Sequence, residues 1–355
     1  MTILVFPSTL EASVSFAREA HRWGCRTIGA SSVQDDPNAA AFDYWELLPF
    51  IGEASFLNAL RDLATRYGVT RIYTPHAPTF HLLNHDLPMR APELQLVGEG
   101  PFAIQMSGVQ NRFAQATDGV TAVAEYGEGA PPFGASFLAG LLAKVEEIHG
   151  ECSRDKILAL CGVVPSAPQG DVVEIGCLYG KSSYVLNRLA SHARVGATLC
   201  IDPWDLGLSI QHDAPMFIQR ASEGWNWEII FQGFLMNMLG CGAPPLNYLR
   251  STSADAFSIY SAGQPVTSPE FGETLYSGAI SVLHIDGNHD EAAVQHDFDL
   301  WSQRLVPGAW IIFDDYNWPH GNGPRQVADR ALAQYAHRVR RCFVAGGAMF
   351  MNIDG

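Results

Sequence analysis

Hydrophobic and polar positions alternate along this chain in a way that predicts two successive α/β regions. Near the start, the largely apolar runs at residues 3–6, 25–30 and 70–74 are typical of short strands. Between them, apolar side chains recur at helical spacing in residues 11–23 and 54–67, and a glycine follows each of these segments. The β-α-β-α-β order predicts a small parallel sheet with right-handed crossovers.

The middle of the chain has a weaker pattern. Residues 86–135 are rich in glycine and proline and show little periodicity, so we expect a connector that packs over one or both domains. A helix is predicted at 135–148 and another from residue 156, and the segment PSAPQG at 165–170 marks a break.

From Asp171 onward the alternation is sharper and predicts a second, larger sheet. Its buried parallel strands are expected at 172–175, 198–201, 247–250, 280–285 and 309–313. Helical patterns lie between these runs at 182–192, 214–239 and 291–305, and a helix at 326–338 precedes closing strands at 342–345 and 349–353. This order predicts a doubly wound, Rossmann-like domain with a mostly parallel seven-stranded sheet, whose ligands gather at the carboxyl ends of the strands.

The fold class is therefore α/β. We expect a small Rossmann-like accessory domain at 1–85, a connector with a helix at 86–150 and the larger domain at 151–355. A chain of 355 residues, 47% of them hydrophobic, has ample material for two cores.

Charge, hydropathy and cysteine usage indicate which partners and which cellular compartment to expect. The formal net charge of −15 argues against nucleic acid, because no basic surplus exists to displace its counterions. No apolar stretch reaches the length of a membrane span, and MTILVFPST is typical of a first strand, not of a signal peptide. The seven scattered cysteines form no CxxC pair, which favours reduced thiols in a cytoplasmic protein.

A strand, a glycine-rich turn and a helix follow one another in VVEIGCLYGKSS, residues 172–183. Gly176 and Gly180 allow a tight turn and a close approach of the backbone to a ligand. The helix N-terminus with Ser182 suits a carboxylate, and Glu174 suits an ammonium group. Together these groups fit the amino-acid end of S-adenosylmethionine (SAM).

Asp202 ends the next strand, where an acidic side chain accepts hydrogen bonds from ribose hydroxyls. An NAD-dependent oxidoreductase would use the same acid, but its fingerprint needs a glycine where this chain has Leu178. The pattern E-x-G-x-x-x-G is that of class I methyltransferases. In such enzymes Ser253 and Ala254 would lie beside the adenine ring; a helix cap is an equally good explanation of these two residues.

Acidic residues follow two later strands. Asp286 ends one, and Asp314 and Asp315 end the next, so three carboxylates should meet at one rim of the sheet. Unpaired, they would repel one another, and a hard cation such as Mg²⁺ resolves that conflict. Alternatively, one of the pair caps a helix or binds Arg325. His289 is placed to take a proton from a substrate hydroxyl, or else makes a local hydrogen bond at a helix start.

The region from about 150 to 355 resembles the methyltransferase family that includes macrocin and mycinamicin O-methyltransferases and the cephalosporin hydroxylase-like proteins. The motifs that carry the resemblance are VVEIGCLYGKSS, IDPW, HIDGNHDEAAVQHD and LVPGAWIIFDDY. It implies SAM and Mg²⁺ or another divalent cation as cofactors, Asp286, Asp314 and Asp315 as metal ligands, and His289 as the base. It also implies O-methyl transfer to a small hydroxyl-bearing acceptor such as a sugar or polyketide, in a homo-oligomer. Some relatives carry Glu where this chain has Asp314.

The first 85 residues take no part in that resemblance. Their element order resembles the Rossmann-like domain that precedes ATP-grasp domains, although no ATP-grasp domain follows. A nucleotide site and an accessory role in assembly or in shaping the substrate pocket both remain open. For the whole chain, a non-catalytic SAM-binding or scaffold subunit is the alternative to an enzyme.

Overall fold

The computed structural model describes residues 1–354, apart from the side chain of Cys241. The chain is α/β, as predicted, and forms two compact units, Met1–Asn111 and a second that starts at Arg112. Within the described part, no helix combines the length and the apolar character needed to cross a membrane. Six cysteines are free thiols, as expected; the prediction for Cys241 lies outside the described side chains.

The first unit contains a five-stranded parallel sheet with strand order β3-β2-β1-β4-β5. Its strands are β1 (Thr2–Val5), β2 (Arg26–Ser31), β3 (Tyr44–Leu47), β4 (Arg71–Tyr73) and β5 (Gln95–Leu96), and its helices include α1 (Glu11–Arg22), α2 (Phe56–Tyr67) and α3 (Ala77–Arg90). Sequence periodicity identifies β1, β2 and β4 with their two helices. The edge strands β3 and β5 escape it because they are short and only partly buried.

A 27-residue helix, α4 (Pro101–Gly127), occupies much of the segment expected to be an irregular connector. Its buried residues are few and small, namely Ala116, Gly119 and Val123. The first half exposes most of its apolar side chains, so the core stripe that identifies a helix in a sequence is missing there. Helix α5 (Ala135–Glu147) lies where it was predicted.

The second unit is built on a seven-stranded sheet of order β13-β14-β12-β11-β6-β7-β8. Its strands are β6 (Asp171–Ile175), β7 (Thr198–Ile201), β8 (Leu246–Leu249), β11 (Ile280–Ile285), β12 (Leu305–Phe313), β13 (Val339–Ala345) and β14 (Ala348–Ile353). The last two run antiparallel to their neighbours and the other five are parallel, which confirms the predicted mostly parallel sheet. A short hairpin, β9 (Val266–Ser268) and β10 (Gly272–Thr274), was not predicted.

The helices of this unit are α6 (Arg154–Val163), α7 (Lys181–Ala193), α8 (Leu206–Ser209), α9 (Met216–Gln219), α10 (Trp227–Cys241), α11 (Ser253–Ser261), α12 (Glu291–Trp301) and α13 (Gly323–Gln334). The single helix expected at 214–239 is in fact two, α9 and α10, separated by a turn that contains Gly224.

Both faces of the large sheet are covered, as its apolar strands predict. In β6, Val172 packs into one buried cluster and Val173 into the other, and the same alternation holds for Val282 and Leu283 in β11. A sheet packed on both sides is a stiff platform. The carboxyl ends of β6, β7, β11 and β12 therefore bring their side chains to one edge in fixed positions.

Candidate functional site

A cavity of about 720 Å³ opens at this carboxyl edge of the second unit. It is lined by the turn after β6, by the starts of α11 and α12, and by the loops after β7 and β12. Eight of the predicted site residues line it: Gly176, Ser182, Asp202, Ser253, Ala254, Asp286, His289 and Asp315. The residues predicted to bind a cofactor and the predicted acidic residues thus share one cavity.

Gly176 is needed at the turn, but for a reason that the sequence did not show. Its φ is +85°, and an ideal Cβ would lie 2.0 Å from the carbonyl oxygen of Asp286. The neighbouring strand end thus already leaves no room for a side chain, and the close approach of a ligand at this turn stays a prediction. Gly180 also has a positive φ, +84°, and its N–H donates to the Cys177 carbonyl to close the turn before α7.

Asp202 holds that turn from the end of β7. Its carboxylate accepts hydrogen bonds from the backbone N–H groups of Cys177 at 2.8 Å and Leu178 at 3.0 Å. Burial raises the pKa of Asp202, against the effect of these backbone donors. Carboxylate oxygens have further lone pairs, so the ribose contact predicted for Asp202 stays a prediction.

Glu174 differs from expectation. It is fully buried, does not line the cavity, and accepts hydrogen bonds from the Ser183 hydroxyl and from His284 Nδ1 at 2.9 Å. Burial alone would raise the pKa of Glu174, but His284 and the nearby hydroxyls lower it overall. The side chain of Glu174 thus belongs to a buried network of hydrogen bonds, and its contact with a cofactor ammonium stays a prediction.

Ser253 and Ala254 line the cavity at the start of α11. The helix cap is the residue before them: Thr252 accepts from the Asp255 N–H. Ser253 instead accepts a hydrogen bond from Trp301 Nε1 at 2.9 Å, and this bond ties α11 to α12.

Asp286, His289 and Asp315 form a cluster whose potential ligand atoms lie within 4.8 Å of one another. His289 Nε2 is 2.9 Å from Asp315 Oδ2, and His289 Nδ1 is buried without a hydrogen-bond partner. The adjacency of β11 and β12 produces this cluster, as the sequence predicts. The structure adds His289 to the potential ligand set.

Asp314 faces the other way, toward a residue that the sequence analysis missed. Lys156 of α6 is 1% exposed, and its ammonium pairs with Asp314 and lies 3.4 Å from Asp286 Oδ2. Burial would raise the pKa of Asp314, but the charge of Lys156 brings it below its usual range. The set of three aspartate ligands stays a prediction, and one of these carboxylates has a cationic partner that the prediction did not include.

The remaining groups fit a divalent cation. The site holds three carboxylates (Asp286, Asp314 and Asp315) and one lysine, which contacts the first two, so an excess of negative charge remains in a mostly buried site. Burial and the proximity of Asp314 both raise the pKa of Asp286. Two carboxylates with an imidazole suit Mg²⁺ or a metal such as Mn²⁺, with water completing the shell. His284 lies next to Asp286: its Nε2 is 3.9 Å from Asp286 Oδ2 and has no hydrogen-bond partner among the described residues.

The outer part of the cavity is aromatic. Trp225, Trp227 and Trp318 line it, and the Trp318 ring meets His289 edge-on at 4.6 Å. Trp204, on the loop after β7, packs in the core. The buried Trp227 Nε1 and Gln211 Oε1 have no hydrogen-bond partner among the residues that the structure describes, which leaves a donor and an acceptor beside the cavity.

A signal for Lys156 was present in the sequence. It is the charged residue at the start of KILALCGVV, and lysine is almost never fully buried unless it is paired. Its partners lie 130 and 158 residues further along the chain, so only the folded structure identifies them.

Residues 173–316 match a protein-family model described as a methyltransferase domain. This match agrees with the methyltransferase domain predicted for the second unit. No curated protein sequence matches the chain.

Solved structures similar to this chain include several methyltransferases. The O-methyltransferase NovP has 14% identity over 62% of this chain and 81% of its own, with a TM-score of 0.39. The calicheamicin methyltransferase CalS11 has 11% identity over 66% and 91%, with a TM-score of 0.38. The MycE methyltransferase from the mycinamycin pathway, in complex with Mg, SAH and mycinamycin VI, has 16% identity over 52% and 45%, with a TM-score of 0.32.

Proposed function

We propose that the protein is a SAM-dependent O-methyltransferase that uses a divalent cation and acts on a hydroxyl of a small molecule, such as a sugar or another natural product. One observation carries the proposal. The glycine turn of the methyltransferase domain and the cluster of Asp286, His289 and Asp315 line the same cavity. A methyl donor held at the turn and an acceptor oxygen held at the cluster would therefore meet.

Each part of the cavity has a distinct task in this mechanism. The turn around Gly176, supported by Asp202, would hold the donor, and Asp286 and Asp315 would hold the cation. A bound divalent cation lowers the pKa of an acceptor hydroxyl and orients it. The Asp315 carboxylate fixes the His289 ring through Nε2, which leaves the other ring nitrogen to take the hydroxyl proton as the methyl group moves from sulfur to oxygen. Trp225 and Trp318 would orient the acceptor.

The test is calorimetric titration of the whole protein with S-adenosylhomocysteine (SAH), with and without Mg²⁺. We expect micromolar binding, weakened at least about tenfold in Asp202→Asn, because the carboxylate charge is lost and one of the two acceptor oxygens that serve the turn and the ribose becomes an NH2 donor. Asp205→Asn is the matched control: this nearby acid is exposed and does not line the cavity, so SAH affinity should not change.

Two results would contradict the proposal. A folded protein that binds SAH in neither condition would exclude the cofactor. A protein that binds SAH but transfers no methyl group to any member of a broad panel of hydroxyl acceptors would favour a scaffold subunit.

A further inference from the structure

A fully buried lysine sits inside the acidic cluster and is not used by the mechanism above. Lys156 is 1% exposed and its ammonium contacts two carboxylates, Asp314 and Asp286. An uncompensated ammonium could not be buried so deeply, so the pairing is what keeps Lys156 in the fold. The helix that carries it, α6, precedes the part of the chain that matches the methyltransferase family.

The lysine divides the carboxylates into two groups. Asp314 is 7% exposed and turned toward Lys156, whereas Asp315 is 35% exposed at its side chain and turned toward His289. Asp286 lies between them: it is 3.4 Å from the Lys156 ammonium and also belongs to the cluster with His289 and Asp315. Consecutive residues at the end of β12 thus serve opposite sides of the site, helped by the positive φ of Asp315, 52°.

We propose that Lys156 is a positioning residue that removes Asp314 from the cation's ligand set, so that the carboxylate ligands are Asp286 and Asp315 and His289 stays available as the base. This inference rests on the proposed function, since it concerns the same cation. Lys156 compensates the charge of Asp314 and leaves Asp286 shared between the ammonium and the cation. The cation then faces the cavity on the side of His289, where the acceptor enters.

Binding of Mn²⁺ to the full-length protein, measured by the loss of the free-ion paramagnetic resonance signal, tests this assignment without an acceptor. Asp286→Asn and Asp315→Asn should weaken binding at least about tenfold, because each removes a ligand. The double variant Lys156→Met/Asp314→Asn removes one charge of each sign and keeps the net charge of the site. Its affinity should stay close to that of the wild type. Lys156→Met alone should bind Mn²⁺ more tightly, because Asp314 is released.

Lys144→Met is the matched control, since Lys144 is paired with Glu147 at the surface of α5, and it should leave the affinity unchanged. If the double variant loses as much affinity as Asp315→Asn, Asp314 is a ligand and the proposal is wrong. If neither the wild type nor Lys156→Met binds Mn²⁺, both this proposal and the cation of the proposed function fail, whereas SAH binding is judged separately by calorimetry. Thermal melting of each variant shows whether it is folded, and the double variant provides the test if Lys156→Met alone does not fold.

Discussion

At the scale of single residues, Asp297 shows how a buried acid couples this site to pH. It lies on α12, lines the cavity and is 7% exposed; burial raises its pKa to about 6, although Ser253 opposes the shift. Since the pKa in the folded state exceeds the ordinary value of 3.8, the folded state binds the proton more tightly. The contribution of Asp297 to the free energy of unfolding is therefore highest below pH 4 and falls as pH rises through 6.

We expect Asp297→Asn to remove this pH dependence. Between pH 4.5 and pH 7.5 the wild type should lose about 2 kcal/mol in free energy of unfolding through Asp297, and the variant should not. The difference in free energy of unfolding, variant minus wild type, should therefore rise by about 2 kcal/mol over this range. Urea denaturation at the two pH values measures the difference. Asp299→Asn, at an exposed position of the same helix, should show no such gain, and an equal response of the two variants would refute the role of burial.

The same scale shows what the sequence could and could not reveal about the site. Strand ends and glycines placed Gly176, Asp202, Asp286 and Asp315 correctly at one cavity, because those positions follow from local pattern and sheet topology. The hydrogen-bond and ion-pair partners of the side chains could not be predicted from the same pattern. Glu174 binds His284 and Asp314 binds Lys156, and both pairings depend on distant parts of the chain that only packing brings together.

At the scale of elements, two helix starts meet beside the proposed base. An ideal Cβ on Gly323, the first residue of α13, would lie 2.1 Å from the carbonyl oxygen of His289 and 2.7 Å from the N–H nitrogen of Glu291, where α12 begins. Contacts this short involve backbone atoms, which cannot turn aside as a flexible side chain can. Gly323 is thus required for the close packing of α13 against the His289 segment.

Gly323→Ala should therefore push the His289 segment out of place. We expect a loss of about 1–3 kcal/mol in free energy of unfolding from overpacking, and methyl transfer reduced more than SAH affinity. Gly140→Ala is the control, because Gly140 lies in α5 with open space around its Cα and should gain up to about 1 kcal/mol from helix propensity. A Gly323→Ala protein as stable and active as the wild type would show that the two helix starts are not tightly constrained.

Elements themselves were predictable where burial was periodic. Both faces of the large sheet are covered, so its strands β6, β7, β11 and β12 appear in the sequence as apolar runs. Helix α4 was not predicted, because its buried residues are a few small ones in its second half and leave no periodic apolar pattern. The prediction of a single helix at 214–239 was wrong for a different reason: apolar residues around the cavity continue the helical pattern across the turn between α9 and α10.

At the scale of the whole molecule, the division into two units was visible as two successive strand–helix alternations. The first unit has its own buried core, which includes Leu4, Ile28 and Leu60. At the carboxyl edge of its sheet, the Asp36 carboxylate accepts hydrogen bonds from the Ser8 hydroxyl and from Trp45 Nε1, so these polar groups satisfy one another. Element order alone could not decide between a nucleotide site and an accessory role, and this network gives no support to the former.

The separate cores and the position of the cavity that holds the site lead to a prediction for the unfolding of the chain. Every residue that lines the cavity belongs to the second unit, from His149 to His320, and the buried clusters of the two units share no member. Scanning calorimetry should therefore resolve two transitions. SAH at about 100 times its dissociation constant should raise the free energy of unfolding of one unit by about 2.7 kcal/mol and leave the other unchanged. Limited proteolysis during the melt identifies which unit shifts: we expect protection of peptides after Arg112. A single transition that moves as a whole with SAH would mean that the two units unfold cooperatively.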